Sequence, residues 1–298
     1  MTKKLANKIF DLQKKTETLI EMLPYVTEFS GKRVLIKVGG EILEDMNSAK
    51  SFCQDIILLR ALGLQVVLCH GGGPQITKLM KSMNKEAVFV RGQRVTDAET
   101  LDLTAMVLLG NINRTLVSLL NTFGKRAVGM SGVDARLFVC RAKDPALGFV
   151  GEICSVSARP IMNLLNNNYL PVVASLGMDN EGNNYNINAD TAAGELAKAI
   201  GAQKLILLTN VEGIYENFED KSSLISELDE QGLRELLAGG TLAAGMIPKV
   251  ESILTALSGG VPHAHILDGR IEHAVLLEIF TAEGIGTMVR RGPQTLVD

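Results

Sequence analysis

The sequence contains no tryptophan, four cysteines and eight prolines among 298 residues, and neither sign of charge dominates it. Scattered cysteines without a Cys-x-x-Cys pair exclude a disulfide-rich scaffold and favour reduced, buried thiols, for which the cytoplasm is the default compartment. No run of about 18 uninterrupted apolar residues occurs, so we expect no membrane span. The 30 Lys and Arg residues nearly balance the 33 Asp and Glu residues, and the net charge of −3 predicts no binding to nucleic acid.

Hydrophobic residues make up 46% of the chain, which is enough for a sizeable core. Short apolar runs that end at glycines alternate with helical patterns, which is typical of a mainly parallel sheet covered by helices on both faces. We therefore predict an α/β fold, a three-layer sandwich, in one compact unit. The expected strands cover 34–38, 65–69, 127–130, 171–174, 205–208 and 264–267, and the expected helices cover 51–62, 74–83, 98–121, 158–167, 190–200, 247–257 and 273–280.

The first thirty residues differ from the rest of the chain. Apolar residues recur there at helical spacing, with Lys and Glu between them, until Pro24 interrupts the pattern. This pattern predicts an amphipathic helix within residues 1–29. Its apolar stripe is expected to pack either on its own domain or on another subunit.

Two glycine-rich junctions follow expected strands. Gly39-Gly40 follows the first strand, and the His-Gly-Gly-Gly-Pro segment 70–74 follows the second and opens a helix. Ligands of parallel sheets bind beyond the carboxyl ends of the strands, and the N–H groups at a helix N-terminus favour an anion. Both junctions are therefore candidates for anion binding. A tight strand–helix turn is the alternative for segment 70–74, which matches neither common nucleotide-binding fingerprint.

Two lysines lie where an anionic partner is expected. Lys37 is inside the first apolar strand, so it must reach the ligand edge of the sheet, find an anion, or extend to solvent from an edge strand. Lys249 lies just inside a helix expected to begin near Pro248, where a cation is unfavourable. A lysine is a compact point charge, which suits a phosphoryl group in transfer.

The remaining polar candidates are Arg94 and the Asn-Ile-Asn-Ala-Asp segment 186–190. Arg94 either holds a carboxylate with two hydrogen bonds or is a surface arginine. Asp190 either caps the helix that follows or orients lysines, and the two asparagines suit polar groups of a substrate. No Ser-His-Asp or Cys-His arrangement is recognisable, and we expect no metal ligands from the protein.

The order of these motifs is more specific than any one of them. Lys-x-Gly-Gly, His-Gly-Gly-Gly-Pro, Arg-Val-Thr, Asn-x-Asn-Ala-Asp and Gly-Met-x-x-Lys, in that order, resemble the amino acid kinase family from about residue 31 to residue 289. Within the family, segments 131–135, 268–270 and 283–287 are similar to the kinases that act on N-acetyl-L-glutamate. The resemblance implies the amino acid kinase fold and an ATP-dependent phosphorylation of the γ-carboxylate of N-acetyl-L-glutamate to N-acetyl-L-glutamyl 5-phosphate. This reaction belongs to arginine biosynthesis, and Mg²⁺ is held mainly by the nucleotide.

The resemblance also implies a role for each matched position. Catalytic roles are implied for Lys37, Lys249 and Asp190, whose carboxylate organises the two lysines. The residues implied to bind the acetylated amino acid are Gly72, Gly73, Arg94, Asn186 and Asn188, and those implied to bind the nucleotide are Lys37, Gly39, Gly40, Thr209, Tyr215 and Lys249. Because a carboxylate nucleophile is already ionised at pH 7, this reaction requires no general base.

The N-terminal helix and the Glu-Gly-Ile-Gly segment 283–286 resemble the subset of these kinases that are hexamers inhibited by L-arginine. That resemblance implies a trimer of dimers interlaced by the N-terminal arm, and an arginine site that includes His265, Glu283 and Gly286, with Lys204 as a further candidate. Some relatives also bind the PII nitrogen-signalling protein, which the sequence leaves undecided. We predict an oligomerisation arm over 1–29 and a kinase domain over 30–298. Its N-lobe, about 30–200, binds the acylated amino acid, and its C-lobe, about 201–298, binds the nucleotide.

Two alternative functions stay open at this point. The first is another kinase of the same family, acting on aspartate, glutamate, carbamate or a nucleoside monophosphate. The second is a catalytically silent, amino-acid-binding regulator that keeps the fold. The presence of both lysines and of Asp190 argues against the second alternative.

Overall fold

The computed structural model describes residues 3–90, 92–124, 126–281 and 284–292. Its strands, in chain order, are β1 Arg33–Val38, β2 Gln65–His70, β3 Phe89–Val90, β4 Gln93–Arg94, β5 Ala127–Ser131, β6 Phe138–Ala142, β7 Gly151–Val156, β8 Leu170–Ala174, β9 Leu176–Met178, β10 Asn184–Asn186, β11 Lys204–Thr209, β12 Ile214–Tyr215, β13 Leu224–Ile225, β14 Glu227–Asp229, β15 His263–Asp268 and β16 Thr287–Arg290. The helices are α1 Lys3–Glu21, α2 Leu23–Phe29, α3 Met46–Ala61, α4 Gly73–Ser82, α5 Ala98–Ala105, α6 Arg114–Phe123, α7 Arg159–Asn166, α8 Ala189–Ala199, α9 Glu230–Gly239, α10 Ile247–Ser258 and α11 Ala274–Phe280.

Within the described residues, the main sheet has eight strands in the order β14-β16-β15-β11-β1-β2-β8-β5. The strands from β15 to β5 pair in parallel, whereas β16 is antiparallel to β15 and parallel to β14 at one edge. The α/β prediction with a mainly parallel sheet is confirmed. Each of the six strands expected from the sequence is present, with its ends shifted by no more than two residues.

The residues of β1 alternate between the two faces of the sheet, as in any strand. Val34 and Ile36 belong to one buried cluster, with apolar residues of α3, α6 and α11. Leu35 belongs to the cluster on the other face, with apolar residues of α8 and α10. Lys37 is two residues after Leu35, so its side chain leaves the strand on the face that α8 and α10 cover.

Several short elements were not predicted from the sequence. They are a four-stranded sheet in the order β10-β9-β6-β7, two small hairpins (β3–β4 and β12–β13), the last two strands at one side of the main sheet (β14 and β16), and helix α9. All of these strands have two to six residues, and several of them have exposed positions. Their apolar alternation is too short to recognise in a single sequence.

The N-terminal region forms two helices rather than one. Helix α1 ends at Glu21, and Pro24 lies in the first turn of α2, where its missing N–H costs no hydrogen bond. Among the side chains described in this region, the exposed apolar ones include Leu12, Leu19 and Ile20, at 52%, 66% and 58%. Phe29 at the end of α2 is buried. The part of the α1 stripe that the structure describes therefore does not pack on its own domain, which was one of the two predicted arrangements.

The long helical stretch predicted over 98–121 is present as Ala98–Phe123, with a π-helical segment at Met106–Asn113 between α5 and α6. Among the described residues, this is the one helix that is long and apolar enough to cross a membrane by length and composition alone. The core helix of a globular protein can have the same length and composition. Of the most apolar 18-residue segment of this helix, 44% is buried.

Candidate active site

A cleft of about 270 Å³ lies beyond the carboxyl ends of β1, β2 and β11. Both glycine junctions line it, together with residues at the N-termini of α8 and α10. It is the ligand edge expected for a parallel sheet. Of the residues proposed from the sequence for catalysis, substrate or nucleotide, all except Tyr215 line this one cleft.

Lys37 and Lys249 meet at one carboxylate. Lys37 Nζ lies 2.8 Å from Asp190 Oδ1, and Lys249 Nζ lies 3.1 Å from Asp190 Oδ2, to which it donates a hydrogen bond. The contact of Lys37 is an ion pair without hydrogen-bond alignment. Burial alone raises the pKa of Asp190, but the two ammonium groups outweigh that effect and hold the pKa below its usual range. The carboxylate is therefore ionised and holds two cations side by side.

Helix α8 begins so that Asp190 is free to make these contacts. Asn188, not Asp190, is the N-cap, and its Oδ1 accepts hydrogen bonds from the N–H groups of Asp190 and Thr191 at 2.9 and 3.1 Å. The interpretation of Asp190 as a simple cap is therefore wrong. Asn188, two residues earlier, already serves as the N-cap, and Asp190 lies inside the first turn.

Helices α8 and α10 cross closely, which brings their N-termini to the same end of the cleft. A Cβ atom on Gly194 would lie 2.5 Å from the backbone oxygen of Ser252, so only glycine permits this approach. Ser252 Oγ donates a hydrogen bond of 2.6 Å to the backbone oxygen of Asp190. Pro248 lies in the first turn of α10, as predicted, and Lys249 follows it. The anionic partner expected for Lys249 is thus Asp190, on the neighbouring helix.

The two glycine junctions form the opposite wall of the cleft. Gln75 Nε2 donates a hydrogen bond of 2.6 Å to the backbone oxygen of Gly40, which ties the first junction to the first turn of α4. A Cβ atom on Gly40 would lie 2.5 Å from Gln75 Oε1. Helix α4 begins at Gly73 and points its N-terminus at the cleft. The junctions therefore present backbone groups, rather than side chains, to any anion bound here.

Arg94 is buried rather than on the surface, so the surface alternative for it is wrong. Its Nη2 donates to the backbone oxygen of Gly73 at 3.0 Å and to Thr77 Oγ1 at 2.7 Å, both on α4. The guanidinium lies 4.8 Å from the centre of the Phe89 ring. These contacts fix the side chain at one end of the cleft, and burial lowers its pKa without removing its charge.

The two asparagines are used differently. Asn186 is the last residue of β10, and its Nδ2 donates to Thr96 Oγ1 at 3.2 Å. Asn188 lines the cleft, but its Oδ1 is engaged in the helix cap. A substrate would therefore find the side-chain oxygen of Asn186 and the amide nitrogen of Asn188 (amide assignments follow from the hydrogen bonds).

A second cavity, of about 360 Å³, continues from the cleft on the side of β11 and α10. Thr209, Asn210 and Lys249 line both cavities, and Tyr215 lines the second. Tyr215 Oη donates a hydrogen bond of 2.7 Å to Glu212. The second cavity is the more apolar of the two, and it reaches Lys249. The two cavities together therefore suit an elongated ligand with a charged end.

The residues proposed for an arginine site lie apart from the cleft. His265, Gly286 and Lys204 line a separate cavity of about 440 Å³ with Tyr25 and Phe29 of α2, whereas Glu283 lies outside the described residues. Lys204 Nζ donates to His265 Nε2 at 3.3 Å, so His265 Nδ1 carries the proton and donates to Glu278 Oε1 at 2.6 Å. Glu278 was not recognised from the sequence, because nothing in its spacing distinguishes it from a surface residue of α11.

A known protein family and several known proteins are similar to this chain over most of its length. The model of the amino acid kinase family matches residues 32–268. The acetylglutamate kinase of Thermoanaerobacter pseudethanolicus is 48% identical over 278 residues, which are 92% of this chain and 93% of that protein. The acetylglutamate kinase of Acaryochloris marina is 46% identical over 282 residues, which are 94% of this chain and 99% of that protein.

A solved structure shares the fold at low identity. The N-acetylglutamate synthase from Neisseria gonorrhoeae, complexed with coenzyme A and N-acetyl-glutamate, aligns with a TM-score of 0.83 and 24% identity, over 94% of this chain and 64% of that chain. At this identity the likeness concerns the fold alone. The family match and the two relatives carry the assignment: this chain belongs to the amino acid kinase family.

Proposed function

We propose that the protein transfers the γ-phosphoryl group of ATP to the γ-carboxylate of N-acetyl-L-glutamate, in arginine biosynthesis. The observation that carries the proposal is the contact of Lys37 and Lys249 with one buried carboxylate inside a cleft lined by two glycine junctions. The names of the relatives, acetylglutamate kinase, support the choice of acceptor.

The chain's own residues account for the transfer. The substrate carboxylate attacks the γ-phosphorus, the bond to the β,γ-bridging oxygen breaks, and ADP leaves with that electron pair. No proton moves, because the nucleophile is ionised at pH 7. The barrier is repulsion between two anions, and two ammonium groups and the backbone N–H groups of the glycine junctions reduce it. Asp190 keeps both lysines at the point of transfer.

The substrate and the nucleotide occupy opposite ends of the cleft in this proposal. Arg94, with Asn186 and Asn188, holds the carboxylate and amide of N-acetyl-L-glutamate, and Gly72 and Gly73 face its reacting end. Gly39, Gly40, Thr209 and Tyr215 face the nucleotide, which extends into the second cavity. The corresponding lobes are about 30–200 and about 201–298.

A Mg²⁺ ion fits this site through the nucleotide. The described residues contain no group of three or more His, Cys, Asp or Glu side chains arranged to hold a metal. The triphosphate would supply most of its ligands, and the ion would neutralise phosphate charge. Asp190 is already committed to two lysines.

An acceptor panel tests the proposal. The full chain is incubated with ATP, Mg²⁺ and one of N-acetyl-L-glutamate, L-glutamate, L-aspartate, carbamate or UMP, and ADP formation is followed. Hydroxylamine traps an acyl phosphate as a hydroxamate. We expect ADP and hydroxamate in equal amounts with N-acetyl-L-glutamate, at a rate at least about 100-fold above that with L-glutamate, whose charged ammonium group replaces the acetamide.

Each alternative has its own signature in this panel. Turnover of another acceptor indicates a different kinase of the family. Thermal stabilisation by N-acetyl-L-glutamate without ADP formation indicates a silent regulator. For variants that lose one of the lysines at Asp190, the matched control is Lys198→Met, which removes an exposed lysine of α8 far from Asp190.

We further propose that L-arginine inhibits the enzyme by binding the cavity of His265 and Gly286, and that the protein is a cytoplasmic hexamer joined by α1. Two observations support this link between the N-terminal arm and the site. The described apolar residues of the α1 stripe are exposed, and residues of α2 line the cavity. Light scattering tests the assembly: deletion of residues 1–21 should reduce a hexamer to a dimer. Activity unchanged by millimolar L-arginine would contradict the regulatory part alone.

A further inference from the structure

His70, the last residue of β2, is buried and lies behind the second glycine junction. Its two ring nitrogens have different partners. Nε2 lies 3.0 Å from Asn113 Nδ2, and Nδ1 lies 3.1 Å from the backbone oxygen of Gly71. Asn113 is the last residue of the π-helical segment 106–113, and π-helical turns often occur at functional sites.

The side-chain amide of Asn113 fixes the tautomer of His70. Nδ2 also lies 2.9 Å from the backbone oxygen of Val172 on β8, which can only accept a hydrogen bond. The amide nitrogen must therefore face both Val172 and His70, and His70 Nε2 must accept. Burial lowers the pKa of His70 to about 4, so the ring is neutral and its one proton is on Nδ1. There it donates to the oxygen of Gly71.

This contact orients the next N–H group. The oxygen of Gly71 and the N–H of Gly72 belong to one planar trans peptide group and point in opposite directions. Because the oxygen is held on the side of His70, the N–H of Gly72 points away from His70, on the side of the cleft that Gly72 lines. Among the described residues, the N–H of Gly72 has no backbone or side-chain acceptor.

The π-helical segment supports the same junction from a second direction. A Cβ atom on Gly72 would lie 2.3 Å from Ile112 Cδ1 and 2.9 Å from Leu108 Cδ2, so the segment packs directly on the glycine backbone. A Cβ atom on Gly129 would lie 2.0 Å from Asn113 Oδ1, so β5 leaves space for the amide. One short segment thus contacts Gly72 and places Asn113.

We propose that His70 and Asn113 are positioning residues, which hold the Gly71–Gly72 peptide so that the Gly72 N–H donates to the phosphoryl group in transfer. The proposal rests on the phosphotransferase function proposed above, and neither side chain touches the substrate. It assigns His70 a task other than acid–base catalysis. The proton on Nδ1 never leaves the ring.

Two substitutions of His70 separate this role from packing. The amide nitrogen of asparagine is two bonds from Cβ, as Nδ1 is, so His70→Asn keeps a donor to Gly71. The amide of glutamine is three bonds from Cβ, as Nε2 is, so His70→Gln keeps the contact with Asn113 and loses that donor. We expect kcat to stay within about threefold in His70→Asn and to fall about tenfold or more in His70→Gln, with both KM values changed by less than about threefold. Equal losses in both variants, or a fully active His70→Gln, would overturn the proposal.

The tautomer is measured independently in the unsubstituted protein. With ¹⁵N-histidine labelling, the His70 signal, assigned by its loss in His70→Asn, should show a protonated Nδ1, an unprotonated Nε2 and no titration between pH 5.5 and 8.5. His265 should share the protonated Nδ1, so the assignment is part of the test. A protonated Nε2, or a titration in this range, would overturn the proposal even if a variant failed to fold. This measurement requires no substrate, so it stands or falls separately from the proposed kinase activity.

Discussion

Lys249→Met removes one of the two ammonium groups at Asp190 and keeps an unbranched side chain of similar length. Asp190 remains paired with Lys37 at 2.8 Å, so no buried charge is left alone. We expect the free energy of unfolding to fall by about 1.5–3 kcal/mol, the usual value of one hydrogen bond to a charged group, which leaves the protein folded. The substitution therefore tests chemistry with little effect on the fold.

The effect on turnover should be much larger. A cation about 4 Å from a phosphoryl oxygen contributes about 4 kcal/mol at an effective dielectric constant of about 20. Loss of one oxyanion donor in other enzymes costs about 2.7–4 kcal/mol. We expect kcat to fall about 10²- to 10³-fold, measured as hydroxamate formed from N-acetyl-L-glutamate. Lys198→Met should match the parent, because that lysine is half exposed on the far part of α8.

Asp190→Asn is the converse experiment. It leaves two ammonium groups together in a buried site with no anion between them, so both kcat and the free energy of unfolding should fall, the latter by about 3–5 kcal/mol.

Near-parental turnover in Lys249→Met would refute the idea that the shared carboxylate places two cations at the transferred phosphoryl group. So would unfolding of Lys249→Met, since it would make that lysine structural.

Three further predictions concern other parts of the chain. Arg94→Lys should raise the KM for N-acetyl-L-glutamate about tenfold or more, with a smaller change in kcat, because the ammonium group of lysine cannot replace the planar guanidinium that Gly73 and Thr77 hold. An unchanged KM would show that the substrate lies elsewhere. Gly194→Ala should lower the free energy of unfolding by about 1–3 kcal/mol in urea, since its Cβ would meet a backbone oxygen at 2.5 Å, whereas Gly239→Ala, with nothing within 4 Å, should be neutral or stabilising. In the folded protein His70 stays neutral down to about pH 4, whereas in the unfolded chain it is protonated below about pH 6.5. The contribution of the neutral ring to the free energy of unfolding is therefore complete above pH 6.5, and about 3 kcal/mol of it is lost as the pH falls to 4. Urea unfolding should therefore show a steeper loss of stability between pH 6.5 and 4 in the parent than in His70→Asn; parallel profiles would contradict the buried neutral ring.

Much of this architecture was predictable because short apolar strands that are buried on both faces carry a strong local signal. The strands at residues 34–38 and 205–208 were recognised within two residues, since each is buried on both faces and ends at a loop. The burial of Arg94 was not predictable, because its partners on α4 lie 17 and 21 residues away in the sequence. The role of Asp190 was left open between a helix cap and a partner of lysines for a related reason. Asn and Asp are equally good caps, and only the pairing of Asp190 with two lysines decides between Asn188 and Asp190.

The contacts of His70 and Glu278 had no sequence signal at all. His70 was recognised as part of a glycine-rich junction, but its partner Asn113 lies 43 residues later, in a helix whose π-helical turn shifts the face that the residue presents. Periodicity analysis assumes 3.6 residues per turn, so it assigns such a residue to the wrong face. Functional residues were thus predictable where they follow the end of a strand, and unpredictable where a distorted helix positions them.

The alternation along β1 also determines which length changes the chain can accept. One residue inserted or deleted between Val34 and Lys37 would rotate the lysine to the α3 side of the sheet, away from Asp190, while leaving an apolar strand of normal appearance. Insertions in pairs would restore the side but move the ammonium group by about 7 Å along the sheet. Homologous chains that differ in length should therefore place every gap outside this strand.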